Sequence, residues 1–180
     1  MPEYIESEVI EGVKYNMSPT NFFHYLASNN LSDRIKSHLD EEYQLVQDVC
    51  ILLDEHAKIF PDIAIFKTPL DITKNGSLKG TPVFVAEILS PSTRNKDTGV
   101  KLELYEKYGV REYWIVDPDG KYIEVYKLRD SGIFQRDGLY QFFFDEDWNE
   151  MPESEREKHP QIIKMDFLQA ELKIKDVFGN

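Results

Sequence analysis

The run Val83-Phe84-Val85-Ala86-Glu87-Ile88-Leu89, followed by the loop Ser90-Pro91-Ser92-Thr93, narrows the folds open to this chain more than any other feature. Every residue from Val83 to Leu89 except Glu87 is apolar. A continuous apolar run of strand length, closed by turn residues, reads as a strand covered on both faces. The spacing then predicts a helix from about Lys96 to Tyr108, stopped by Gly109 at the C′ position. "VREYWIVDP" is a second such strand, ended by the turn Asp117-Pro118-Asp119-Gly120. Strand, helix and strand in that order predict a parallel crossover unit, right-handed if both strands share a sheet. Glu87 is the anomaly, because a carboxylate inside a buried strand is costly unless it is paired or bound to a metal.

The flanking sequence adds strands and one long helix. "YIESEVIEGVKYNM" predicts a strand, a turn at Glu11-Gly12 and a second strand. Phe22, Phe23, Tyr25, Leu26, Ile35 and Leu39 are spaced for a helix that Ser18-Pro19 or Thr20 can start, with Asn29-Asn30 as its weak point. "YQLVQDVCILLDE" predicts one strand and "IFPDIAIF" the next, while "KYIEVYKL" and "LYQFFFDE" predict a hairpin. No repeat or linker divides residues 1–180, so a single domain is expected. The fold class is α/β or α+β: a mixed central sheet flanked by helices, with additional antiparallel strands.

Charge narrows the function. The chain carries 33 acidic and 21 basic side chains, a net charge of −12. That opposes broad, non-specific affinity for nucleic acid but leaves room for a local basic surface. The stretch "DEDWNEMPESEREK" holds seven acids and two bases, and residues 145–160 are expected to form a solvated acidic loop or insertion. Cys50 is the one cysteine, so no intramolecular disulfide can form, and its apolar surroundings place it in the core. No run reaches membrane-spanning length and the N-terminus has no signal-peptide core, so a cytoplasmic protein with no membrane partner is expected.

Two acids interrupt apolar contexts, Asp62 and Glu87. If their strands are neighbours, the carboxylates meet and supply the hard oxygen ligands that Mg²⁺ or Mn²⁺ prefers. Read alone, Asp62 is equally a turn residue after Pro61, and Glu87 an edge-strand residue. Asp97 and Lys101, four apart, share a helical face, either as a surface ion pair or as an amine directed at Glu87. Thr93, Arg94 and Lys96 offer a hydroxyl and two cations for a phosphate, or plain N-capping. His24, His38, His56 and His159 show no zinc-ligand spacing and read as structural or surface residues.

"IFPDIAIF", "VFVAEILSPSTRNKDTGVKLELYEKYGVREYWIVDP" and "IEVYKL" together resemble the Uma family of "putative restriction endonucleases", within the PD-(D/E)XK nuclease superfamily, over roughly Glu8 to Leu128. The resemblance implies a restriction-endonuclease-like core and metal-dependent hydrolysis of nucleic acid, with DNA as the expected substrate and a homodimer as the expected assembly. It implies that Asp62 and Glu87 bind Mg²⁺ or Mn²⁺. The superfamily's lysine, two positions after the acid, is Leu89 here, and Lys101 on the next helix takes its role, supported by Asp97. "SEVIEGVKYNMSP" resembles the family's N-terminal acidic segment, which makes Glu8 a further acid near the metal, and His24 matches a histidine on the helix that follows. The alternative is a catalytically silent nuclease fold acting as a binding, regulatory or structural dimer module.

Overall fold

The computed structural model describes residues 7–16 and 20–179. The chain opens with a hairpin, β1 (Ser7–Ile10) and β2 (Val13–Asn16), and continues into α1 (Phe22–Lys36). The hairpin turns at Glu11 and Gly12, whose φ values of 50° and 79° suit a tight two-residue turn. Seven strands follow: β3 (Tyr43–Val46), β4 (Ile51–Leu52), β5 (Lys58–Ile59), β6 (Ile63–Lys67), β7 (Asp71–Ile72), β8 (Leu78–Lys79) and β9 (Phe84–Ile88). Two helical pieces, α2 (Arg94–Asp97) and α3 (Val100–Lys107), lead to β10 (Glu112–Asp117), β11 (Tyr122–Leu128) and β12 (Phe134–Gln141). The chain ends in α4 (Asp145–Glu150), α5 (Glu153–Arg156), β13 (Ile162–Met165), a 3₁₀ turn (Asp166–Leu168), β14 (Ala170–Lys173) and α6 (Lys175–Phe178).

The main sheet runs β12-β11-β10-β9-β6-β3, with β9 and β10 parallel and every other neighbouring pair antiparallel. The parallel pair is the crossover unit expected from the sequence. Both of its strands are buried throughout, which explains their continuous apolar runs. Alternation splits them between two cores. Phe84, Ala86, Ile88, Trp114 and Val116 pack with Ala27, Leu31 and Ile35 of α1 and with β13, β14 and α6. Val85, Tyr113 and Ile115 pack with Leu104 and Tyr105 of α3 and with the smaller sheet, β2-β1-β5-β4-β8-β7. Glu87 has the parity of Val85, so it faces α3.

Several boundaries differ from expectation. The predicted 96–108 helix begins at Arg94 and breaks at Gly99, where a Cβ would lie 2.8 Å from the Asn95 carbonyl oxygen. It stops at Gly109 as expected, with the N–H of Gly109 on Glu106 O and that of Val110 on Tyr105 O, both at 3.0 Å, a Schellman pattern. "YQLVQDVCILLDE" gives two strands in different sheets, because Asp48 takes a positive φ of 52° and turns the chain between them. Cys50 lies half-buried at that crossing rather than in the core. The second hairpin strand is Phe134–Gln141, earlier than expected, and Asp137 is the extra residue of a bulge where Val125 pairs with Gly138 and Tyr126 with Arg136.

α1 is capped by Asn21, whose side chain accepts the His24 N–H at 2.9 Å; Ser18 and Pro19 lie outside the described residues. It passes through Asn29-Asn30 unbroken, with the Asn30 amide donating to Val177 O of α6. Phe22, Phe23 and Tyr25 are exposed, so the apolar spacing read from them does not mark the buried face. The acidic stretch is folded rather than a plain loop: α4 and α5 are tied by Arg156, which donates to the carbonyls of Met151 and Asn149 and lies over Trp148. Among the described residues, no helix is long and apolar enough to cross a membrane.

Candidate functional site

The central sheet sets the site. Asp62 stands one residue before the first paired position of β6, where Ile63 faces Ala86, so it lies beside Glu87. Its Oδ2 accepts the Ile88 N–H at 2.6 Å, closing the ladder where backbone pairing ends. Its Oδ1 is 3.2 Å from His24 Nε2, which α1 carries in over the same strand ends. From the other side, α3 brings Lys101, and β1 brings Glu8.

Lys101 is the hub. Its amine, 2% exposed, lies 2.8 Å from Glu87 Oε1, 2.9 Å from Glu8 Oε1 and 3.5 Å from Asp97 Oδ1. Glu8 is held further by the Phe60 N–H at 3.0 Å and by the Lys96 amine. Tyr105, one turn beyond Lys101, donates its hydroxyl to Glu87 Oε1 at 2.6 Å. Tyr113 donates to the backbone oxygen of Asp97 at 2.9 Å, and Asp97 Oδ1 is buried with no hydrogen-bond partner among the described residues. A cavity of about 60 Å³ opens among these groups, lined also by Thr20, Asp48, Ser90 and Thr93.

The cavity is over-supplied with acid. Glu8, Asp48, Asp62, Glu87 and Asp97 face it, against the amines of Lys96 and Lys101. Burial pushes the Glu87 carboxyl well above the usual carboxylate range, and the neighbouring Asp97, Asp62 and Glu8 add to this against the pull of Lys101. Burial likewise raises Asp97, and raises Asp48 with help from Asp62. Glu8 goes the other way: burial would raise it, but Lys101 and Lys96 hold it low. Burial would lower Lys101, yet Glu87, Glu8 and Asp97 together hold it well above the ordinary lysine range. The two ends of the Lys101–Glu87 pair thus shift in the same direction. The amine answers three carboxylates and stays charged, whereas Glu87 shares its cation with others and carries the excess. His24, which burial would lower, is raised by Asp62 and Asp48.

The structure therefore brings Asp62, Glu87, Lys101, Glu8, Asp97, Thr93 and Lys96 to one cavity. Arg94 is not among them, which corrects its expected place in a phosphate site. As the first residue of α2 it turns to β10, 2.7 Å from Asp117 Oδ2 and 3.4 Å from the Tyr122 hydroxyl. The Thr93 hydroxyl accepts the Ser90 N–H at 3.2 Å and so braces its own loop. Sequence reasoning missed Asp48 and Tyr105 and undervalued His24. Tyr105 was within reach, since it shares the face of Lys101; nothing local in the sequence marks Asp48.

Two comparisons bear on this arrangement. The family model Uma2, described as "putative restriction endonuclease", matches residues 1–155. In fold, the chain is similar to a crystal structure titled as a "putative nuclease belonging to DUF820" from Anabaena variabilis, with a TM-score of 0.73 over 99% of this chain and 93% of that one. Sequence identity is 19%, so that likeness speaks to fold alone.

Proposed function

Because this chain belongs to the Uma2 family, whose description is that of a nuclease, we propose that the cavity beside Glu87 hydrolyses phosphodiester bonds of nucleic acid, with DNA as substrate and Mg²⁺ or Mn²⁺ as cofactor. One observation carries the reading: Glu87 and Lys101 meet at 2.8 Å in a cavity that Asp62 also lines.

The donor set fits such an ion. With its carboxylates ionised, the cavity sets five acids against two amines and His24, a net negative charge that a divalent cation balances. Among the described residues no three His, Cys, Asp or Glu side chains close on one point. Mg²⁺ does not need such a cage, since it binds through one or two carboxylates and fills its remaining positions with water and phosphate oxygens. Glu87 and Asp62 are the acids to hold it: Glu8 is tied by two amines, Lys101 and Lys96, and by Phe60 N–H, whereas Asp62 meets one backbone N–H and His24. When bound, such an ion polarises a phosphate oxygen and lowers the pKa of its water. Lys101 is held protonated, so it acts as a hydrogen-bond donor rather than as a base. Its place beside Glu87 suits it to orient a water or to stabilise charge developing on phosphate.

Cleavage of single- and double-stranded DNA with Mg²⁺ or Mn²⁺ tests the proposal. The wild-type chain should cut, while Glu87→Gln and Lys101→Ala should each lose activity by on the order of 100-fold or more, as expected for groups acting on the transition state. Cleavage that survives in both variants would belong to a contaminant, and none from the wild type on either substrate would favour the silent-module alternative. Assembly as a homodimer is part of the same proposal and is read by sedimentation velocity on the same preparation.

A further inference from the structure

The two oxygens of Glu87 have unequal surroundings. Oε1 accepts from both Lys101 Nζ and the Tyr105 hydroxyl, at 2.8 and 2.6 Å, while Oε2 accepts no hydrogen bond among the described residues. Among the described residues the enclosed side-chain oxygen without a hydrogen bond is Asp97 Oδ1, not Glu87 Oε2. Glu87 lines the cavity, and its uncommitted oxygen is the one free to serve a ligand there.

Tyr105 is well built to enforce that asymmetry. It is completely buried on α3, and its ring lies 4.9 Å from that of Tyr113 on β10. A phenol hydroxyl taken out of water needs a partner, and its partner here is the Glu87 carboxylate. Phenylalanine would fill nearly the same space without the donor, so packing alone does not account for a tyrosine.

We infer that Tyr105 is a positioning residue for Glu87: with Lys101 it engages Oε1 and turns Oε2 to the cavity as that carboxylate's one metal-facing oxygen. The inference rests on the metal reading above and extends it to a residue outside the acid–lysine set. Tyr105 touches neither substrate nor ion; it acts through the carboxylate it holds.

The test compares wild-type protein with Tyr105→Phe and with Tyr108→Phe, whose hydroxyl one turn away bonds Asp54 and is remote from Glu87. In metal-free protein labelled at glutamate side chains, the ¹³C carboxyl resonance of Glu87 should move in Tyr105→Phe and stay in Tyr108→Phe. Mn²⁺ titration, with no substrate present, should show Kd raised by about tenfold in Tyr105→Phe, the low end of what loss of an outer hydrogen bond costs a metal site. A still resonance, or equal Mn²⁺ affinity in wild type and Tyr105→Phe, would overturn the inference while leaving the proposed function standing. No Mn²⁺ uptake by the wild type would overturn both. If Tyr105→Phe does not fold, the wild type still decides: a slowly exchanging Tyr105 hydroxyl proton is required, and its absence refutes the inference.

Discussion

Glu87 and Glu112 lie on adjacent parallel strands of one sheet, both 3% exposed, and point to opposite faces. Glu87 faces α3 and meets an amine, a phenol and a cavity. Glu112 has the parity of Trp114 and faces the α1 side, where the Trp114 indole donates to it at 2.8 Å. Its cross-strand neighbour is Lys127, but that amine is drawn away, 2.8 Å from Asp166 and 3.2 Å from the bulged Asp137. Burial pushes Glu112 up to about 7, partly offset by the Trp114 hydrogen bond and Lys127. Both acids are hard to ionise, for different reasons. Glu112 has no cation of its own, whereas Glu87 has one that too many acids share. A buried carboxylate alone therefore does not make a site; convergence of partners around a cavity does.

The largest effect expected from this contrast is at Lys101. Lys101→Met keeps the length of the side chain and removes the charge, stranding Glu8, Glu87 and Asp97 in the interior. Breaking one side of a buried ion cluster costs about 3–5 kcal/mol. Urea denaturation should show that loss, and adding Glu87→Gln should recover part of it. Stability close to wild type in Lys101→Met would mean that the acids escape by protonating, and the cluster would then resemble Glu112 more than the contrast allows.

Glu112 gives the second effect, with a definite sign. Its folded-state value lies above its ordinary 4.5, so its stabilising contribution is complete below 4.5 and is lost as pH rises to about 7. A shift of that size corresponds to about 3 kcal/mol at most. Glu112→Gln keeps an acceptor for the indole and cannot titrate. Relative to wild type it should therefore gain up to about 3 kcal/mol between pH 4.5 and pH 8. Parallel stability curves for the two proteins would show that Lys127 compensates Glu112 after all.

The two acids also show what the sequence could disclose. Strand β9, the Gly109 stop and the turn at Asp117 rest on local chemistry, and all three were legible. Glu87 stood out because it broke an apolar run; Glu112, placed at a strand boundary between Arg111 and Tyr113, did not. Asp62 and Lys101 were singled out by their apolar context and helical face, each beside a plainer reading as turn residue or surface ion pair, and the family resemblance then gave them roles; their meeting depends on β6 lying beside β9. Asp48 escaped because its place depends on where a turn re-enters; Tyr105 lay on the legible face of Lys101, but only the strand beneath the helix shows what its hydroxyl meets. Arg94 was misplaced because its partner Asp117 lies distant in the chain, at the end of β10. Strands of two residues, such as β4, β5, β7 and β8, are too short for any periodicity to show.

The smallest effect asks whether only one of the two acids faces a metal. An ion that binds the folded chain alone stabilises it by mass action, about 1.4 kcal/mol when its concentration is tenfold above Kd. For a chain of this size that raises Tm by roughly 3–6 °C. Mg²⁺ should therefore raise Tm of the wild type and of Glu112→Gln equally, and leave Glu87→Gln almost unmoved. The comparison is internal, since Glu112→Gln and Glu87→Gln make the same chemical change to a buried acid of the same sheet. An equal rise in all three proteins would assign the ion to some other carboxylates on this acidic surface. A rise lost in Glu112→Gln but kept in Glu87→Gln would reverse the assignment of the two faces. Loss in Glu87→Gln alone ties the ion to the face where Lys101, Asp62 and Tyr105 converge.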